Sequence, residues 1–243
     1  NTWSKISCGY RHTIAIRSDG TLWAWGYNAY GQLGLSNTTN RSSPVQVGSN
    51  FSWAKLGTNG DGFTSGATGK PLSLELWGWG YNGYCFIDTT FASRSSPVQI
   101  GKSKNWKRCY SGFNTGFIQN SASEVYAMGS DTYGNLGTYD RGAFQSPVQV
   151  GSVFGMWSAM SDSPTRSQTI VAKVNGTAWG WGNNFFGELG IISTIDKSSP
   201  VKIGTSSWSK VSVNGSYISA INTTGNLYTW GWNNYGQLGD GTT

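Results

Sequence analysis

The chain has 243 residues, of which 12% are charged and 14% aromatic; it carries 13 Trp, 35 Gly and a net charge of +6. So many large apolar side chains exclude a disordered chain, and no apolar run reaches the ~18 residues of a membrane-spanning helix. Charge at about half of the usual ~25% leaves solubility to Asn, Ser, Thr and Gly, a composition that suits secreted and virion proteins.

The first segment, Trp3 to Ser7, alternates apolar and polar residues and ends at Gly9. His12 to Ile16 alternates again and is rich in β-branched residues, as strands are. Ser18-Asp19-Gly20 reads as a hairpin turn, Thr21 to Trp25 as a third strand, and Pro44 to Val47 as a short fourth strand with the proline at its start. The unit then recurs. Trp3 has counterparts at Trp53, Trp106, Trp157 and Trp208, spaced by 50, 53, 51 and 51 residues. Hairpin signals return as Asn175-Gly176 and Gly225-Asn226. Four copies close with Ser-Pro-Val, at Pro44, Pro97, Pro147 and Pro200. Repeats of this length mark propellers or solenoids. Four short antiparallel strands per unit predict an all-β fold, a β-propeller forming one domain over residues 1–243, with repeats at about 3–49, 53–101, 106–151, 157–204 and 208–243. Flat side chains are expected to fill the wedge between blades: Trp25, Trp79, Trp181 and Trp230, with Met128 in the matching place of the third repeat.

The second repeat is the least regular. Cys85-Phe86-Ile87-Asp88 stands where other copies have Gly-x-Leu-Gly, and its first hairpin is reduced to Asn59-Gly60-Asp61-Gly62. The fifth copy stops at Thr243 before a Ser-Pro-Val strand, and the chain opens at Asn1 with neither an initiator Met nor a signal-peptide pattern. These ends read as a processed or excerpted portion of a longer product. One blade then lacks a strand within this chain, and its edge calls for cover.

The order Gly9-Tyr10-x-His12-Thr13-x-Ala15-Ile16, Asp19-Gly20-Thr21-Leu22-Trp23-Ala24-Trp25-Gly26, Asn28-x-x-Gly31-Gln32-Leu33-Gly34 and Ser43-Pro44-Val45-Gln46-Val47 resembles the repeat of the regulator of chromosome condensation family. The resemblance covers nearly the whole chain and is clearest in the first and fifth repeats. It implies a propeller, in that family typically of seven blades. The five repeats here correspond to a five-bladed ring or to five blades of a larger one. It also implies a partner-binding role, in founding members exchange of guanine nucleotide on a small GTPase at chromatin.

Little in the sequence announces chemistry. His12 stands alone, without a Ser or Asp partner in its neighbourhood, and reads as a side chain bonded to a neighbouring loop. Cys8, Cys85 and Cys109 fall at non-equivalent positions without metal-ligand spacing, so free, mostly buried thiols are expected. The 11 acidic residues are dispersed. The expectation is a non-enzyme without cofactor or metal. Only Lys102, Lys104, Lys107 and Arg108 cluster among the 17 basic residues, whereas a nucleic-acid surface needs a dense stripe. No specific nucleic-acid partner is therefore expected.

Variation concentrates in the loop that leads into each Ser-Pro-Val strand. It is polar in the first repeat (Ser36 to Asn40) and apolar in the next three, with Phe86, Ile87 and Phe91, then Tyr139 and Phe144, then Ile191, Ile192 and Ile195. Either each loop tucks its apolar residues over its own blade, or the loops form a patch for another protein chain. The candidate contact residues are Phe86, Ile87, Phe91, Phe144, Ile191 and Ile192. The leading functional expectation is a binding or structural propeller on a virion surface, fibre or extracellular adhesion component. The alternatives are an exchange-factor-like regulator or a secreted propeller that inhibits an enzyme. The oligomeric state stays open.

Overall fold

The computed structural model describes residues 2–49, 52–57, 63–70, 73–83, 87, 90–102, 105–111, 115–151, 157–162, 168–173, 175–214 and 216–243. Nineteen strands and no helix appear among them, arranged as five blades in series. The first blade is β1 (Trp3–Cys8), β2 (His12–Arg17), β3 (Leu22–Gly26) and β4 (Arg41–Gln46). The second is β5 (Trp53–Leu56), β6 (Phe63–Lys70), β7 (Ser73–Gly80) and β8 (Arg94–Gln99). The third is β9 (Trp106–Ser111), β10 (Thr115–Asn120), β11 (Val125–Gly129) and β12 (Phe144–Gln149). The fourth is β13 (Trp157–Asp162), β14 (Gln168–Lys173), β15 (Ala178–Gly182) and β16 (Lys197–Lys202), and the fifth β17 (Trp208–Asn214), β18 (Tyr217–Asn222) and β19 (Leu227–Gly231). Strands pair antiparallel in chain order within each blade, and one bridge, Leu74 to Trp106, joins the second and third blades into one sheet.

Two irregularities recur because the repeat encodes them. Opposite each leading Trp the register slips by a residue, as between Trp3 and Lys5 against Arg17 and Ile16. In the outer strand the register jumps from Val45 to Arg41 across Ala24 to Gly26. Pro44 sits in that jump, in the interior of β4 and not at its start. An outermost strand tolerates this because the missing N–H falls where the ladder is already interrupted.

The core follows the joints between blades. One cluster holds Ile14, Ile16, Leu22, Ala24, Leu33 and Val47 of the first blade together with Trp53 and Trp79 of the second. Another joins Phe117, Leu136 and Val150 of the third blade to Trp181 of the fourth. The joint between second and third blades is built from Leu74, Leu76, Ile87 and Ile100 against Trp106, Ile118 and Met128. That between fourth and fifth takes Ala178 and Ile203 with Trp208 and Ile218. Aromatic side chains therefore hold each blade to the one before it. Trp79, Trp181 and Met128 are fully buried. Trp25 and Trp230 are less deeply buried, although most of each side chain is still covered. Trp25 belongs to the first blade, whose outer face carries an open groove of about 410 Å³ lined by Trp3, Ser4, Lys5, Ile6, Ala15 and Trp25. Trp230 packs on the fourth blade, but no strand follows β19 among the described residues to cover its far edge.

Candidate functional site

Antiparallel order within each blade places the connection from its third to its fourth strand, the 3–4 connection, at the end of the third strand opposite the 2–3 hairpin. The 3–4 connection is built around one polar residue, Asn28, Asn82, Asp131, Asn184 or Asn233. Its Oδ1 accepts the backbone N–H five residues on: Leu33 (2.9 Å), Ile87 (2.9 Å), Leu136 (2.7 Å), Leu189 (2.8 Å) and Leu238 (3.0 Å). That bond drives an apolar side chain into the joint as a plug; Leu33, Ile87, Leu136 and Leu189 are buried. Where the residue is Asn, its Nδ2 donates to carbonyls farther along the loop. Asn28 reaches Asn37 (2.9 Å) and Thr39 (3.1 Å), Asn82 reaches Thr90, and Asn184 reaches Ser193 (2.6 Å) and Ile195 (3.2 Å).

The next blade then caps this turn. The indole N–H of Trp79 donates to the carbonyl of Gln32 (2.9 Å), Trp181 to Asn135 (3.1 Å) and Trp230 to Glu188 (2.7 Å). Glycine is required beside these rings: a Cβ on Gly137, at φ +70°, would lie 2.9 Å from the Trp181 Nε1. His12 belongs to the same joint. The Thr64 hydroxyl donates to the Gln32 carbonyl (2.8 Å) and so accepts from the His12 Nε2–H (2.9 Å). Burial pulls the imidazole down to about 4, so it is neutral at pH 7. His12 is thus a buried pin between blades. Among the described residues no group of three or more His, Cys, Asp and Glu is placed to hold a metal ion.

The candidate contact residues divide sharply. Ile87 lies in the loop but turns inward as the second blade's plug, equivalent to Leu33, and is 3% exposed. Counting five residues on from the anchoring Asn finds it, whereas matching Gly-x-Leu-Gly does not. Phe144 also departs from the contact role: it opens β12 opposite Gly129 and packs against the joint containing Trp181. Ile191 is half-buried, at the place where Leu35 packs on the first joint. Phe86 lies outside the described residues. Phe91 (71% exposed) and Ile192 (fully exposed) project from the rim, and Tyr139 and Ile195 do so as well. Ser36, Tyr139 and Ile192 are equivalent, with φ of 59°, 69° and 54°. Ser36 N–H donates to Ser95 (2.6 Å) and Tyr139 N–H to Ser198 (2.7 Å), which ties each loop to the outer strand of the next blade. Of the thiols, Cys8 is exposed, contrary to expectation, because it lies on β1 at the uncovered face; Cys109 is half-buried, and burial pushes its thiol up to about 11.

Two models of the Regulator of chromosome condensation (RCC1) repeat match the chain, one at residues 3–32 and the other at 19–60, 175–221 and 224–243, together more than half of it. The chain is 28% identical over 247 residues to the ultraviolet-B receptor UVR8 of Arabidopsis thaliana, covering 98% of this chain and 54% of that protein. It is 25% identical over 241 residues to the E3 ubiquitin-protein ligase HERC2 of Homo sapiens, covering 96% of this chain and 5% of HERC2. The chain thus spans about half the length of UVR8 and a small part of HERC2. Human WBSCR16 superposes with a TM-score of 0.80 at 17% identity, over 96% of this chain and 62% of that one. Prp20p of Saccharomyces cerevisiae, described with its binding to Gsp1p and histones, superposes with a TM-score of 0.53 at 14% identity, over 99% of this chain and 74% of that one. These structural likenesses bear on the fold.

Proposed function

The chain belongs to the regulator of chromosome condensation (RCC1) repeat family, and on that premise we propose that it is a non-enzymatic docking module whose 3–4 rim engages another protein. The names of its relatives span a photoreceptor, a ubiquitin ligase and a binder of Gsp1p and histones. One scaffold serving such different ends points to the loops, not the blades, as the carriers of function.

The observation that carries the proposal is Ile192. It is fully exposed and holds φ at 54°. A β-branched residue there costs about 1–2 kcal/mol in backbone strain, and full exposure returns no packing within the chain. Phe91, Tyr139 and Ile195 extend this apolar rim over the second, third and fourth blades, and such a patch on a rigid frame suits a protein partner. We place the protein on a virion, fibre or cell surface, on the strength of its low charge.

The test uses photo-crosslinking residues at positions 91 and 192, with positions 19 and 222 on the hairpin side as controls, followed by the double variant Phe91→Ser/Ile192→Ser. A defined partner should be captured from the rim positions. The double variant should keep its melting midpoint and lose that partner by about tenfold or more in affinity. Capture from the hairpin side alone, or a double variant that binds as before, would refute the proposal.

A further inference from the structure

Four of the five copies anchor the 3–4 loop with a carboxamide, and the third does so with a carboxylic acid. Asp131 is 1% exposed. Its Oδ1 makes the same bond as every anchor, to Leu136 N–H at 2.7 Å. Its Oδ2 is buried and has no partner. In the first and fourth copies the atom at that place is the Asn Nδ2, which donates to two loop carbonyls at 2.6 to 3.2 Å. The third loop matches the first residue for residue between Gly137 and Phe144, and its Tyr139 repeats the left-handed turn of Ser36. The carbonyls of Asp140 and Gly142 therefore correspond to those of Asn37 and Thr39. The third loop also lacks a second tether. Asn40 and Asp196 accept the backbone N–H of Asn28 (2.8 Å) and Asn184 (2.9 Å), and the corresponding residue is Ala143, which offers no side-chain acceptor.

By equivalence with Asn28 and Asn184, the buried Oδ2 stands where a donor to these carbonyls is called for, and an ionised, unpartnered oxygen there is unfavourable. The gap closed by an N–H···O bond matches a direct O–H···O contact and is too short to seat a metal ion, which needs its own 2.3–2.6 Å to each oxygen. A proton is the ligand that fits. We propose that Asp131 is a proton-operated latch: when protonated, its Oδ2–H closes the third rim loop onto its blade, and when ionised it releases that loop.

The surroundings agree with this. Burial pushes the Asp131 carboxyl up to about 6; the Leu136 N–H bond opposes that rise, Asp140 adds to it and Arg141 opposes it. Ser130, Thr132, Asn135 and Thr138 of the same connection are uncharged. The neighbouring blade meets the loop at Ser198, beside Lys197 at the start of β16. Because the folded-state value is raised, the latch holds fully below the ordinary carboxylate range and is lost as pH rises through about 6. The latch does not depend on the docking role. Its consequence, a rim that is more ordered in mild acid, does rest on that reading.

Backbone hydrogen exchange at residues 138–143, compared between wild type and Asp131→Asn at the same pH so that intrinsic rates cancel, tests the latch. Protection should be equal at pH 4.5, and at pH 8 wild type should be at least about tenfold less protected. Asn184→Asp combined with Asp196→Ala, which removes the second tether as Ala143 does in the third loop, should transfer the same pH dependence to residues 191–196. Equal protection of wild type and Asp131→Asn at pH 8 overturns the latch, and so does an Asn184→Asp/Asp196→Ala loop indifferent to pH. Crosslinking at positions 91 and 192 does not enter this comparison, so the two proposals fail separately.

Discussion

Replacing Trp181 and Trp25 each by Ala separates the stability of a joint from that of a blade. The two residues occupy the same place in β15 and β3. Trp181 is 0% exposed, packs 6.2 Å from Phe117 and donates its N–H to the Asn135 carbonyl. Removing such a ring from a packed core costs about 3–5 kcal/mol, and stranding a buried carbonyl adds about 1 kcal/mol or more. Trp181→Ala should therefore lose about 4–6 kcal/mol. Trp25 is less deeply buried, on the open face next to Trp3 at 6.1 Å. Its removal should cost only about 1–2 kcal/mol, because the ring lines an open groove and buries less apolar area than Trp181. With an m-value of about 3 kcal/mol/M for a domain of this size, urea midpoints followed by circular dichroism should fall by about 1.5–2 M for Trp181→Ala and by about half a molar for Trp25→Ala. Equal losses would show that the ring stabilises its own blade and not the joint, which would refute the cross-blade account of the core.

His12 and Asp131 should pull stability in opposite directions with pH. The folded-state value of His12 is lowered to about 4 by burial, so its contribution is present above the ordinary histidine value of ~6.5 and is lost as pH falls toward 4, by up to about 3 kcal/mol. Melting temperatures of His12→Gln should show a flatter fall over that range, and a wild-type slope that persists in the variant would contradict this. Among the thiols, maleimide labelling mapped by peptide should modify Cys8 well before Cys109, since Cys8 is exposed and burial keeps the Cys109 thiol protonated; faster labelling at Cys109 would contradict that. Ile192→Gly should raise stability slightly, by about 1 kcal/mol or less, read as a small rise in thermal midpoint, by relieving the left-handed backbone; a clear loss would mean that the Ile192 side chain packs within the chain after all.

The fold was legible because a repeat states its pattern several times. The leading Trp, the Asp-Gly or Asn-Gly hairpin and the Trp-x-Trp-Gly strand each carry a local reason for their structure, and every copy adds weight to the same reading. The site was less legible, because the apolar residues of a loop look alike in a sequence whether they plug a joint or face water. Ile87 and Ile192 show the difference. One lies five residues after an anchoring Asn and is drawn inward by that anchor's hydrogen bond. The other lies at the left-handed turn beyond the plug, where the chain heads outward. The distance from the anchor, and not hydrophobicity, decides which way the side chain goes.

The same anchor explains why one substitution in the repeat carries more meaning than many others. Some changes between copies replace one joint-filling apolar side chain by another, as the smaller and more flexible Met128 does for Trp, and the joint absorbs them. The change from Asn to Asp at position 131 keeps the shape and removes two donors, so the acceptor half of the anchor survives while the half that holds the loop depends on a proton. Near-isosteric replacement at a fully hydrogen-bonded buried position alters the loop without altering the blade. In a repeat protein whose blades must remain alike in order to pack, such positions are where one loop can acquire behaviour that its neighbours lack.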